Sequence, residues 1–180
     1  MSIELTDGDI LLRPFRTDDL TPLYEAVRES LVELSTWMRW CTEDYSIDDT
    51  SAFILSRDDA WKNDLEYSFA VCNRETGNFL ASVGLSFVNR IYQMANLGYW
   101  VRTSATGRSI ASRATRLVAS FAFDELSLQR IEIIAAVGNV ASQRVAEKAG
   151  ARREGVLRSR LLDNGHPMDA VMYSLIAKDL

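Results

Sequence analysis

Gly98-Tyr-Trp-Val-Arg-Thr-Ser-Ala-Thr-Gly-Arg-Ser-Ile-Ala-Ser112 reads as a strand ending near Val101, a short polar loop, and the start of a helix whose first turn is built on Gly107, Arg108 and Ser109. The first backbone N–H groups of a helix have no intrahelical partner and lie at the positive end of the helix dipole, so such a turn can hold a phosphate. Gly107 lets a ligand approach the backbone. Arg102, Arg108, Arg113 and Arg116 lie around the turn, and no acid occurs between Val101 and Ser120. The stretch therefore predicts a pyrophosphate site at a strand-to-helix joint.

A second strand-to-helix unit follows. Ile131-Glu-Ile-Ile-Ala-Ala-Val137 is an apolar, β-branched run with the character of a strand. Asn139 is a suitable N-cap for a helix through about Ala149, and Gly150 is a suitable residue to end it. Lys148 falls in the last turn, where a cation suits the dipole.

Upstream, Ile10–Pro14 reads as a first strand. Thr17-Asp-Asp-Leu20 opens a helix running through about Ser30, and Ser46-Ile-Asp-Asp-Thr50 opens another. Tyr67–Cys72, Phe79–Val88 and Met94–Val101 read as three strands, the first pair joined by a turn at Gly77. Near the C-terminus Asn164-Gly165 predicts a hairpin turn. Strands in hairpins followed by strand–helix alternation imply an α/β mixture around one mixed sheet.

Composition narrows the classes. The chain has 180 residues with three prolines, two cysteines and one histidine, which suits a single domain over residues 1–180. The acidic N-terminus and the lack of a long apolar run point away from a signal peptide or a membrane span and towards a cytoplasmic protein. Cys41 and Cys72 have neither the number nor the spacing of a disulfide framework or a zinc site, and no metal is expected. Residues 1–100 carry 8 Lys/Arg against 17 Asp/Glu, whereas residues 101–180 carry 12 against 8. A basic half beside an acidic half suits an anionic cofactor and a cationic substrate, and solvated helices explain the acidic half equally well. No lysine-rich face or nucleic-acid-binding motif is present. The three glycines of a dinucleotide fingerprint and the Gly-Lys-Ser/Thr of an NTPase loop are both missing.

The segment Thr106-Gly107-Arg108-Ser109-Ile110-Ala111 resembles the acyl-CoA-binding motif of the GNAT superfamily of N-acetyltransferases, with Thr106 in place of Gln or Arg and Ser109 in place of the second glycine. Asn139-Val-Ala-Ser142 and Glu147-Lys148-Ala-Gly150 resemble a second signature of that superfamily. Glu154–Arg158, Asp163–His166 and Met172–Leu175 match its Rim-type branch, which acetylates N-terminal amines of ribosomal proteins, and the ordered likeness runs from Leu11 to Tyr173. The resemblance implies one GNAT-like domain: a twisted, mixed, mostly antiparallel sheet of about seven strands, flanked by helices and splayed at the cofactor strand. It implies acetyl-CoA as cofactor, with pyrophosphate on the amides around Gly107 to Ala111, pantetheine along the strand at Trp100 and Val101, and Arg102, Asn139, Ser142 and Lys148 nearby. The oxyanion donor maps to the backbone at about Trp100 and Val101; the side chains of Tyr99 and Trp100 read as core packing.

Acetyl transfer to an amine requires a neutral amine, a donor to the thioester oxygen, help for the leaving thiolate, and positioning. Ala146 stands where many relatives carry a tyrosine acid. The branch resemblance assigns that role to Ser142, whose residue-level alternative is a first-turn serine bonded to its own backbone. Asn139 is a cofactor contact, an N-cap, or both. Asn96 stands where the branch commonly carries a carboxylate, so Glu66 leads as general base, with solvation at a strand end as its alternative. Glu43 and Asp44 are placed to attract an amine. Of Trp37 and Trp40, one is expected to line an acceptor pocket and the other to pack. His166 reads as a solvent-facing turn residue. The expected activity is direct acetyl transfer from acetyl-CoA to a primary amine, a protein or peptide N-terminus by branch resemblance. The alternatives are a small-molecule amine acceptor and a catalytically weak acyl-CoA-sensing module, in a monomer or homodimer.

Overall fold

The computed structural model describes residues 3–163 and 165–180. In chain order it contains strands β1 (Leu5–Asp7) and β2 (Ile10–Pro14), helices α1 (Leu20–Glu29), α2 (Leu31–Trp37) and α3 (Ile47–Lys62), and strands β3 (Tyr67–Asn73), β4 (Phe79–Asn89) and β5 (Met94–Val101). Helix α4 (Ile110–Asp124), strand β6 (Arg130–Ala136), helix α5 (Val140–Lys148) and the hairpin β7 (Arg152–Asp163) and β8 (His166–Leu175) complete it. The strands form one sheet in the order β1-β2-β3-β4-β5-β6-β8-β7.

Every neighbouring pair is antiparallel except β5 with β6. That parallel ladder covers only Met94↔Arg130, Ala95↔Ile131 and Asn96↔Glu132. Beyond Asn96, β5 stays paired to β4 as far as Val101 but no longer to β6. The sheet opens there, at the strand where the family resemblance implied a splay.

Two apolar layers cover the two faces. Beneath α4, Ile110, Ala114, Val118, Phe121 and Ala122 recur at helical spacing and pack on Leu85, Leu97, Ile131 and Ile133. On the opposite face α1 and α3 bury Leu23, Val27 and Ile54 with Phe15 and Phe79. Each large side chain so buried contributes about 1.5–3 kcal/mol, which makes these layers the main anchor of the opened sheet. Helix α3 starts where Ser46 and Asp49 cap each other, Asp49 Oδ2 accepting the Ser46 N–H at 2.8 Å and Ser46 Oγ accepting the Asp49 N–H at 3.3 Å.

The sheet has eight strands rather than about seven. Strand β1 is only three residues long with a single apolar residue, so it offers no alternation to read. Helix α2 was also not anticipated; it follows α1 directly at Ser30, which blurs its start. The cofactor helix begins at Ile110, later than the sequence suggested, because Ser109 is its cap in a left-handed conformation. Strands β7 and β8 reverse at the predicted place, with Gly165 at φ +81°, whereas Asn164 lies outside the described residues. No described helix is long and apolar enough to cross a membrane.

Candidate active site

The opening between β5 and β6 provides unpaired backbone. Arg102 donates its N–H to Leu80 O at 2.9 Å, in register with Trp100↔Ser82. In an antiparallel ladder successive residues alternate between bonding the partner and facing away. Trp100 therefore bonds β4. The Leu97 amide serves the last β5–β6 rung, Asn96↔Glu132, and the amides of Tyr99 and Val101 face the gap. Val101 is thus an available backbone donor; the backbone of Trp100 is occupied, and its side chain belongs to the opposite wall described below.

The turn after this strand is shaped for an anion. Gly107 has φ +78° with open space where a Cβ would stand, and Ser109 has φ +56°. The first helical bond of α4 runs from Arg113 N–H to Ser109 O at 3.1 Å, leaving the amides of Ile110, Ala111 and Ser112 ahead of it. Ile110 and Ala111 are buried and can contribute only backbone. Thr106 is folded back, its hydroxyl donating to Thr103 O at 2.9 Å. Free amides beside a flexible glycine, next to an unpaired strand edge, fit a pyrophosphate with an extended amide-bearing arm.

The arginines around this turn are less free than their sequence suggests. Arg102 is tied to Glu29, with Nε donating at 3.1 Å, and Glu29 also accepts the Ser104 N–H at 2.7 Å. These contacts, Arg102 first, hold the Glu29 carboxyl down at about 2. Arg113 binds Asp7 and Asp9, each at 2.8 Å, and Arg116 reaches Leu180 O at 3.3 Å. Among the described residues, Arg108 has only a carbonyl partner, Ser104 O at 3.3 Å.

Helix α5 forms the other side of the opening. Asn139 caps it, its Oδ1 accepting the Ser142 N–H at 3.0 Å. The Ser142 hydroxyl meets the phenol of Tyr99 at 3.2 Å, and the same phenol donates to Ser142 O at 2.8 Å. Burial pushes the Tyr99 phenol up to about 12. Ala146, one turn beyond Ser142 on the same helix face, is fully buried. Lys148 lies at the far end of the helix, roughly 13 Å along its axis from Asn139 at 1.5 Å per residue.

On the opposite face of β4 and β5 lies a cavity of about 410 Å³, floored by Gly84 and Gly98 and walled by Trp40, Tyr45, Phe53 and Trp100. Trp40 packs against Trp100 at 6.3 Å and Tyr45 at 5.6 Å between ring centroids. Glu66 lines the cavity, with Oε2 accepting from Arg57 Nη1 at 2.5 Å; Arg57 also donates to Ser68 Oγ at 3.2 Å and lies over the Phe53 ring. Glu66 is thus neither isolated nor fully solvated: one carboxylate oxygen is engaged. Of the two tryptophans, Trp40 lines the cavity, whereas Trp37 lies against Gly138 in the turn before α5. Glu43 and Asp44 are exposed and outside the cavity lining, and His166 is exposed at the start of β8. Asn96 sits at the foot of the opening, and its buried Oδ1 has no hydrogen-bond partner among the described residues.

Sequence reasoning did not anticipate Arg57, Tyr45 or Phe53 in this cavity, nor Tyr99 at Ser142. Phe53 and Arg57 are spaced i, i+4 on α3, which was a legible signal that they share a face. The Tyr99–Ser142 contact joins segments 43 residues apart, and Tyr45 reaches the cavity through the loop that also brings Trp40. Burial pushes both Cys41 and Cys72 thiols up, so neither has the thiolate character of a nucleophile. The arrangement suits transfer between two molecules held on opposite sides of the opened strand.

Comparison with known proteins agrees with this geometry. Residues 9–152 match the acetyltransferase (GNAT) domain family. YdaF of Bacillus subtilis, whose name carries the words ribosomal N-acetyltransferase, is 30% identical over 173 residues, covering 94% of this chain and 92% of that protein. A solved structure from Vibrio cholerae, described as a ribosomal-protein-serine acetyltransferase, superposes with a TM-score of 0.82 at 26% identity over 97% of both chains. RimL, a ribosomal L7/L12 alpha-N-protein acetyltransferase in complex with coenzyme A, shares the fold at a TM-score of 0.89 and 19% identity, covering 97% of this chain and 98% of its own.

Proposed function

The chain belongs to the GNAT acetyltransferase family and is an acetyl-CoA-dependent acyltransferase, and we propose that its acceptor is the N-terminal amine of a protein, of the ribosomal class for which its relatives are named. The observation that carries this reading is the cavity on the face of β5 opposite α5. It opens beside the strand whose free amides suit the cofactor, and its aromatic walls converge on one ion-paired carboxylate.

Acetyl-CoA supplies an acetyl group already activated as a thioester. The amides after Gly107 bind its pyrophosphate, with Arg108 adding charge, and the free edge of β5 pairs with its pantetheine arm. Val101 N–H donates to the thioester oxygen as negative charge develops there. Trp40 and Trp100 exclude water and hold the first residue of the acceptor, while Glu66, directly or through water, takes a proton from the ammonium. Ser142 hydrogen-bonds the sulfur as it leaves. The raised thiols of Cys41 and Cys72 favour direct transfer over an acetyl-enzyme.

The test is incubation with acetyl-CoA and a panel of ribosomal-protein N-terminal peptides beside free amino acids, polyamines and amine-bearing antibiotics. Thiol release is followed, and the acetylated atom is located by mass spectrometry. Acetylation at a peptide α-amine is the expected result. Turnover only with small amines would overturn the acceptor assignment and leave the family chemistry intact.

A further inference from the structure

Tyr99 leaves β5 beyond Asn96↔Glu132, the last pair joining β5 to β6. Its phenol crosses to the first turn of α5 and ends 2.8 Å from Ser142 O and 3.2 Å from Ser142 Oγ. A phenol has one proton. The shorter contact gives that proton to the carbonyl, so the phenol oxygen is left to accept the proton of Ser142 Oγ.

Serines in a first helical turn commonly turn their hydroxyl back onto nearby backbone. Ser142 does not: Tyr99 is its only hydroxyl partner among the described residues. The two contacts also differ in quality. The carbonyl bond is short and fixes the turn, whereas the hydroxyl contact is long and easily exchanged for a stronger acceptor. An anionic sulfur in the opening is such an acceptor.

We propose that Tyr99 is the positioning residue for Ser142, holding its hydroxyl at the opening so that it donates to the sulfur of coenzyme A as the thiolate departs. Ala146 belongs to the same assembly. It is fully buried one turn along the α5 face from Ser142, and the phenol beside Ser142 comes from β5 instead of from α5. Tyr99 keeps its proton throughout, because burial holds the phenol far above neutrality. The transfer balances without it: the acceptor nitrogen bonds the acetyl carbon, the C–S bond breaks, sulfur keeps the electron pair, and the proton released from nitrogen offsets the one the thiolate later takes from solvent.

The inference rests on coenzyme A occupying the opening between β5 and β6, and its test separates the two claims without needing an acceptor. Binding of coenzyme A and of desulfo-coenzyme A is measured by calorimetry as pH is raised through the ionisation of the ligand's alkyl thiol, which lies above the cysteine value of about 8.5. Wild type should bind the thiolate about tenfold more tightly than the desulfo analogue, Tyr99→Phe should reduce that preference to about threefold or less, and Ser142→Ala should abolish it. The double variant should be no worse than Ser142→Ala, since the two groups act as one unit. An undiminished preference in Tyr99→Phe, or losses that simply add, would overturn the proposal. Equal binding of both ligands by wild type would overturn it too while leaving the cofactor site in place, and failure to bind either would remove the site as well. Melting temperatures confirm folding; should Tyr99→Phe not fold, retention of the preference by Ser142→Ala is by itself decisive against the proposal.

Discussion

A β-carbon placed on Gly138 would stand 3.4 Å from Cη2 of Trp37, so the end of α2 rests on the turn between β6 and α5. The contact joins the helical layer over the cavity walled by Trp40 and Trp100 to the far side of the sheet opening. Trp37 is the α2 residue that makes this contact, just outside the cavity lining. Trp37→Ala should raise the acceptor KM severalfold while changing coenzyme A affinity by no more than about twofold, the pattern of a lost acceptor-side contact. Steady-state kinetics with an acetylated peptide, set beside calorimetry, checks it. Gly138 is outside the left-handed region, and Gly138→Ala should be tolerated because the added carbon meets the indole at ordinary contact distance.

At Gly107 the backbone is left-handed and the space above it open. Asn and Asp both adopt this conformation more readily than other residues, and they have nearly the same shape. Gly107→Asp should weaken coenzyme A binding at least about tenfold, about 1.4 kcal/mol, through repulsion of the pyrophosphate. Gly107→Asn should retain most of the affinity. Equal losses in the two variants would mean that shape, not phosphate, governs the turn.

Glu66 shares its carboxylate with Arg57 inside the cavity beneath α1 and α3. Glu66→Gln keeps the shape and removes the proton acceptor. It should depress kcat/KM most at low pH, where the neutral fraction of the amine is smallest, and progressively less as pH rises. Profiles of wild type and variant that differ by a constant factor would show that Glu66 is not the base. Because Arg57 is left without its ion pair, the variant should also melt a few degrees lower, at about 1 kcal/mol of lost stability.

Glu29 gives the protein a pH-dependent strap. Its carboxyl is held at about 2 against an ordinary value of 4.5, chiefly by Arg102. A depressed carboxylate stabilises the fold above its unfolded value and loses that contribution as pH falls towards the folded one. The difference in melting temperature between wild type and Glu29→Gln should therefore be full above about pH 5, at about 1 kcal/mol, and should shrink towards pH 2. A difference independent of pH across that window would remove the ionic contribution. Since Glu29 also accepts Ser104 N–H, the loop leading to Gly107 should exchange its amides faster in the variant.

The strands and helices that flank the cofactor turn were legible because their signals are local. Apolar periodicity identifies β5, α4 and β6, Asn139 and Gly150 delimit α5, and Ser46 with Asp49 opens α3 within four residues. The short β1, by contrast, is a strand only because β2 lies beside it. Glu66 was legible as a carboxylate near the site but not as the partner of Arg57, since the pairing depends on how α3 packs on β3.

The family, the strand-to-helix joint at Gly107 and the order of the elements around it were readable from the chain alone, because a glycine turn, a helix cap and a strand run are each written in neighbouring residues. Only the tertiary structure decided which charges remain available and what the candidate hydroxyl touches. Arg102 is neutralised by Glu29, 73 residues away, and Arg113 by Asp7, 106 residues away. Tyr99, read as a packing aromatic, meets Ser142 across 43 residues and the gap between two parting strands. Such partners are chosen by the folding of the sheet, and side-chain charge and hydrogen bonding act over a few ångströms of space whatever the distance along the chain.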